Sequence, residues 1–259
     1  MTTKVFRSNA TGALFNLDVS RNFIEGHYPL YKFGFNPDIN GTEETIWTQG
    51  GNYVWPTSAA QRYVSSSSSD DTAAGTGVRS IRIFGLDANY NEITEDITLT
   101  GQTQKITANS YLRIYRAYAI AAGSGGTAAG TVYIADSGAS AGVPTGNVYA
   151  NLSEDNQTQL GIYTVPAGYT LYLDDINFSA SMSLANNTMT VKFNIREFGE
   201  VFRTVIVHVL QSNSIIDKFE YPLQIPEKTD LETRAVSTSN NNPVAVSFQG
   251  VLIKNNIEV

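Results

Sequence analysis

Cysteine is absent from the 259-residue chain, and histidine nearly so, with only His27 and His208. Without thiols there can be no disulfide, no cysteine nucleophile and no Cys-ligated zinc or iron–sulfur centre. Charge is also scarce: Asp, Glu, Lys and Arg make up 16 % of residues, against roughly 25 % in an average soluble domain. The 17 basic and 24 acidic residues leave a net charge of −7, and no block of Lys or Arg offers a footprint for a phosphate backbone. Nucleic acid is not expected as a partner. No apolar run reaches the ~20 residues of a membrane-spanning helix, and none follows Lys4 and Arg7 at the amino terminus. Neither a membrane partner nor a Sec-type export signal is expected. The G-x-S-x-G, H-E-x-x-H and P-loop patterns are missing too, so hydrolase, zincin and nucleotidase readings lack support. No catalytic residue, metal or cofactor is expected.

What is present is polar, uncharged and aromatic. Hydrophobic residues make up 42 % of the chain, enough to bury a core, and there are 14 tyrosines, 12 phenylalanines and 2 tryptophans. Low-complexity stretches at 65–77 and 119–147 divide the chain into three pieces: 1–60, 61–150 and 151–259. The first carries Phe6, Phe15, Phe23, Tyr28, Tyr31, Phe33, Phe35, Trp47, Tyr53 and Trp55 without a 3.6 or 2.0 period. It reads as an extended arm that packs on something else.

The middle piece reads as a small antiparallel sheet. Residues 78–86 lead into the turn Asp87-Ala88-Asn89-Tyr90-Asn91, after which Ile93, Glu95, Ile97 and Leu99 alternate with polar residues; residues 111–118 form a third run. From residue 160 onward eight strands are expected: 160–165, 169–174, 176–181, 188–196, 201–210, 215–221, 230–237 and 244–253. Within them Met189, Val191, Phe193 and Ile195 alternate with Thr190, Lys192, Asn194 and Arg196, so one face turns inward. Eight is a jelly-roll count. The best helical window, 58–66, amounts to a turn or two. The expected fold class is therefore all-β: two antiparallel β modules, the C-terminal one a jelly-roll-like β-sandwich, preceded by an extended N-terminal arm.

Polar constellations have simpler readings than catalysis. His208 falls on a strand and His27 in a loop. The carboxylate pairs Asp174 with Asp175, and Glu197 with Glu200, could in principle serve a glycosidase, but the first falls at a boundary between strands and the second in a hairpin turn. Asp87, Asn89 and Asn91 offer oxygens to a cation such as calcium. An EF-hand would need Gly where Glu92 stands and Glu where Thr98 stands, so a hairpin turn is the simpler reading. Asp70 and Asp71 read as a solvated linker. The aromatic surplus fits either protein interfaces or sugar stacking.

Several phrases in fixed order carry a resemblance: SSSSSDDTAAGTG running into VRSIRIFGLDANYNEITEDITLTGQT, then NSYLRIYRAY, IYTVPAGYTLYL, IPEKTDLETRA and NNNPVAVSFQGVLI. From about residue 60 to the carboxyl terminus the chain resembles virion structural proteins of tailed bacteriophages. The resemblance implies a non-enzymatic head decoration (cement) protein, made in the host cytoplasm and placed on the capsid exterior. Its implied partners are the major capsid protein and itself, as a homotrimer. A tail or fibre protein holding a host glycan through loops 87–91 and 240–242 is the alternative. Interface hot spots favour aromatics and arginine, which singles out Phe23, Tyr28, Tyr31, Phe33, Trp47 and Trp55 in the arm, with Arg113 and Arg116 on the middle sheet. For Trp47 and Trp55 local core packing is the competing reading.

Overall fold

A computed structural model describes residues 15–256. Residues 1–14, the start of the expected arm, and 257–259 lie outside the described residues. The described chain is all-β with several small antiparallel sheets, plus one short helix, Phe15–Ser20. Residues 58–66 are not helical; Tyr63–Ser66 is a strand.

Two sheets face each other as a sandwich. Numbered along the chain, its strands are one (His27–Ile39), two (Ile162–Thr164), three (Tyr169–Ala180), four (Met189–Arg196), five (Arg203–Leu210), six (Ser214–Ile225), seven (Asp230–Ser237) and eight (Asn242–Lys254). One sheet runs in the order one-eight-three-six and the other two-seven-four-five, with Glu44–Thr45 also pairing with strand seven. Every neighbouring pair is antiparallel. One and eight, two and seven, three and six, and four and five are all partners, so the chain behaves as one long folded ribbon. Wrapping that ribbon brings strand eight beside three and strand seven beside four.

Alternation explains the core. Leu171, Leu173, Ile176 and Phe178 from strand three, Val244, Val246 and Phe248 from eight, and Met189, Val191 and Phe193 from four are all buried in one cluster. Phe193 and Phe248 meet across the two sheets with ring centroids 6.0 Å apart. Burying each such ring contributes about 1.5–3 kcal/mol. The sheets close tightly where strand one crosses the start of strand two: a Cβ on Gly34 would lie 2.4 Å from the Gly161 nitrogen, so only glycine fits.

Two expectations are corrected here. Residues 27–39 are not a free arm but strand one, paired with strand eight over nearly its whole length, with Tyr28 opposite Leu252 and Phe35 opposite Ala245. The count of eight is reached differently as well: seven strands follow residue 160, because the expected strands 169–174 and 176–181 are one strand, bulged between Leu173 and Asp175. Asp174 and Asp175 therefore lie on a β-bulge and not in a turn.

The middle piece is an insertion between strands one and two. It holds a three-stranded sheet, Glu92–Thr98, Val78–Leu86, Arg113–Ala122, and a four-stranded one, Val148–Leu152, Val132–Ala135, Tyr63–Ser66, Lys105–Ile106. Its own apolar cluster includes Val64, Ile81, Ile83, Ile97, Tyr111, Ile114 and Ile134. The serine-rich stretch is folded rather than a linker. Asp71, fully buried, accepts hydrogen bonds from the backbone amides of Val78 (2.7 Å), Ala129 (2.9 Å) and Gly130 (3.0 Å) and from the Ser66 hydroxyl (2.6 Å). One carboxylate thus ties both low-complexity segments together, satisfying donors that would otherwise be buried unpaired.

Candidate functional site

Strand one is an edge of its sheet, and its residues alternate across it. Lys32, Gly34 and Asn36 are buried, while Tyr31, Phe33 and Phe35 point the other way with graded exposure. Tyr31 is 55 % exposed, and Tyr28 and Phe23 are exposed too. The Tyr31 and Phe33 rings lie 6.3 Å apart, Tyr28 stands edge-on to Tyr169 at 5.9 Å, and the Arg21 guanidinium sits 4.3 Å above the Phe23 ring. Arg116 crosses from the insertion, its Nη2 donating to the Tyr31 carbonyl at 2.8 Å. Tyr28, Tyr31 and Arg116 border one cleft, with Phe33 beside Tyr31.

That cleft, of about 370 Å³, lies between strand one and the insertion and is lined by Tyr28, Tyr31, Lys32, Glu92, Tyr115, Arg116, Tyr163 and Tyr169 among others. The Lys32 ammonium donates to the Tyr115 carbonyl, and the Tyr115 hydroxyl donates to Glu92 Oε1 at 3.0 Å. Burial, and then the Arg116 charge, hold the Lys32 pKa well below its ordinary value. Burial pushes the Tyr115 and Tyr163 hydroxyls upward, so both stay protonated.

The remaining expected anchors lie inside the chain. Trp47 is buried, donating to the Gly51 carbonyl at 3.0 Å and packing edge-on against Tyr53. Trp55 donates to the buried Glu232 carboxylate at 3.2 Å. Arg113, expected at an outer interface, is only 5 % exposed and forks onto Asp230 at 2.8 and 2.9 Å. Arg196 and the Thr164 hydroxyl reach the same carboxylate at 2.6 Å each. Both arginines stack near Trp55, at 5.1 and 5.3 Å. This cluster joins the insertion to strands two, four and seven.

A second cleft, about 400 Å³, opens over that joint and also takes in Glu197, Glu200, Tyr90 and Phe198. Glu197 is ion-paired with Arg203. In the other carboxylate pair, burial and then the Asp175 charge raise the Asp174 pKa, while Asp175 accepts from Gln249 at 2.7 Å. At the 87–91 turn, Asp87 accepts from the amides of Asn89 (2.8 Å) and Asn91 (2.9 Å), so its oxygens close the hairpin. His27 begins strand one and bonds the Glu25 carbonyl through Nδ1 at 2.9 Å; His208 bonds Asp217 at 2.6 Å.

Two features escape a reading of the sequence. Lys32 looks like an ordinary strand lysine until strand one is placed against Tyr115. On strand five, an edge of the second sheet, Val205, Val207 and Val209 are all exposed, with Val209 at 64 %. Their alternation was visible, but its direction depends on register, and a one-residue slip would have turned them inward.

No protein-family model matches the chain, and no curated protein does. Among solved structures, one of the infectious bursal disease virus Gx strain matches at 9 % identity with a TM-score of 0.22, covering 90 % of this chain and 74 % of that one. The VP2 subviral particle of infectious bursal disease virus matches at 10 % identity with a TM-score of 0.23, covering 89 % of this chain and 72 % of that one. With TM-scores this low, neither likeness carries weight for the fold or the function.

Proposed function

We propose that this chain is a non-catalytic structural component of a bacteriophage particle, a decoration protein on the capsid exterior that bridges neighbouring capsid subunits. The observation that carries this reading is the strand order. We read the two sheets ordered one-eight-three-six and two-seven-four-five as a jelly roll, an architecture shared by viral capsid and lectin domains. Since a fold by itself does not name a function, the resemblance of residues 60–259 to tailed-phage virion proteins and the character of the surface supply the rest.

Two surfaces suit assembly. The flank bearing Phe23, Tyr28, Tyr31 and Arg116 has the composition of interface hot spots and faces the capsid in this reading. The row Val205, Val207 and Val209 lies on an unpaired sheet edge, where an exposed apolar strand seeks a partner. It is the contact between copies in a homotrimer, closed symmetry being the usual outcome for identical chains. The protein is synthesised in the host cytoplasm and joins the completed shell.

Co-sedimentation with capsids lacking the protein, alongside its mass by light scattering, tests the reading. Saturable binding at a fixed copy number per lattice threefold, with a trimeric mass, is expected. Absence of binding overturns it in favour of a tail or fibre protein that holds a host glycan, the second reading, which the tyrosine-lined cleft favours.

A further inference from the structure

The cleft behind strand one has an imbalance of charge that its own residues leave open. Lys32 is 3 % exposed, and its ammonium carries three hydrogens, of which one is donated, to the Tyr115 carbonyl. Among the described residues no carboxylate forms an ion pair with it, and the charge it feels most is the like charge of Arg116. Burying a cation without a counter-ion is costly, and both cations line the same open space. An anionic group entering from solvent would lie against both.

The walls specify more than an anion. Tyr28 and Tyr169 stand at the cleft with their rings edge-on to each other. Aromatic rings offer apolar faces on which the C–H side of a sugar ring can pack, while their hydroxyls remain available for hydrogen bonds. Glu92, already accepting from Tyr115, adds an acceptor for hydroxyl hydrogens, which a bare carboxylate such as acetate lacks. The volume of about 370 Å³ falls within the range of small-molecule sites, roughly 300–1,000 Å³.

We propose that this cleft binds one carboxylate-bearing sugar residue, with the carboxylate directed at Lys32 and Arg116, the ring packed on Tyr28 and Tyr169, and a hydroxyl donated to Glu92. Tyr28, Tyr31 and Arg116 line this cleft and also belong to the flank turned to the capsid in the reading above, so sugar and capsid would compete for it, and acidic surface polysaccharide would be met by a chain whose flank is free. Titration of the free chain reads the sugar site without capsids, and capsid sedimentation reads attachment without sugar, so either idea can fail alone.

The test is calorimetric titration of the full chain with the methyl glycosides of glucuronic acid and of N-acetylneuraminic acid, with methyl glucoside and acetate as controls. At least one acidic glycoside is expected to bind saturably, and both controls at least about tenfold more weakly, about 1.4 kcal/mol. Lys32→Met is expected to remove the preference for the acidic sugar. Because that change is buried, Tyr169→Ala, at the cleft wall, serves as a second variant and is expected to weaken binding about tenfold with melting retained. Failure of both acidic glycosides to bind overturns the proposal. Equal binding of acetate or of methyl glucoside, or unchanged affinity in a folded Tyr169→Ala protein, does so too.

Discussion

The sandwich and the insertion are both β-sheet, yet different forces hold them. In the sandwich, apolar residues at alternate positions on strands three, four and eight fill a common core around Phe178, Phe193 and Phe248. The insertion has a smaller apolar cluster and relies on buried carboxylates: its own Asp71 gathers the serine-rich stretch and residues 129–130, and Asp230, reaching over from strand seven of the sandwich, clamps its Arg113. An apolar core tolerates many residues of about the right size. A buried carboxylate does not, because each donor left without it bears a desolvation cost of about 1–3 kcal/mol. The insertion should therefore be the less forgiving half under polar substitution, and the sandwich under loss of volume.

Substitutions can sharpen that contrast, beginning with the largest effect. Phe193→Ala should cost about 3–5 kcal/mol from lost burial and the cavity left behind, read by denaturant unfolding, with amide exchange rising first in strands four and eight. Asp230→Asn should come next, at about 3 kcal/mol, since Arg113 and Arg196 would lose their shared counter-charge. Exchange in Arg113–Ala122 should then rise before exchange in Asn242–Lys254; the opposite order would break the distinction between the two halves. Asp71→Asn should cost about 2–3 kcal/mol by facing amide hydrogens towards amide donors, with protection lost in Val78–Leu86 while the sandwich stays protected.

Smaller effects concern the surface. Val207→Lys should leave the melting temperature nearly unchanged and, for the homotrimer proposed above, reduce the native mass to that of a monomer, because charge on an exposed edge discourages strand pairing. A trimer that survives this change would move the contact between copies elsewhere. Glu43 gives the weakest effect. Partial burial pushes its carboxyl up, but hydrogen bonds and charge from Lys192 and Arg234 outweigh that and hold its pKa below the ordinary value. A depressed folded-state pKa contributes stability above the unfolded value that is lost as pH falls through the folded one. Wild type should thus exceed Glu43→Gln by a few tenths of a kcal/mol at neutral pH, and the gap should close below pH 4.5.

Most strands were legible where their pattern was local. Val78–Leu86 and Asp230–Ser237 fall where alternation and flanking turns place them. Strand one was not, because His27–Ile39 carries Pro29, Gly34 and Pro37, and its aromatics follow no period until strand eight, more than two hundred residues away, sets their register. The candidate flank was half legible for the same reason. Tyr28, Tyr31 and Arg116 border one cleft, whereas Arg113 and Trp47, equally plausible as anchors by residue type, are buried by contacts with distant segments.

By itself the sequence determined that the chain is all-β, without thiol chemistry and poor in charge, because composition and short-range alternation are properties of neighbouring residues. Only the tertiary structure decided that strand one completes the sandwich, that Asp71 organises a stretch resembling a linker, that the valines of strand five face outward, and that Lys32 is buried without a counter-charge. Each of those depends on which residues meet across long separations, and burial, register and electrostatic pairing exist only once they have met.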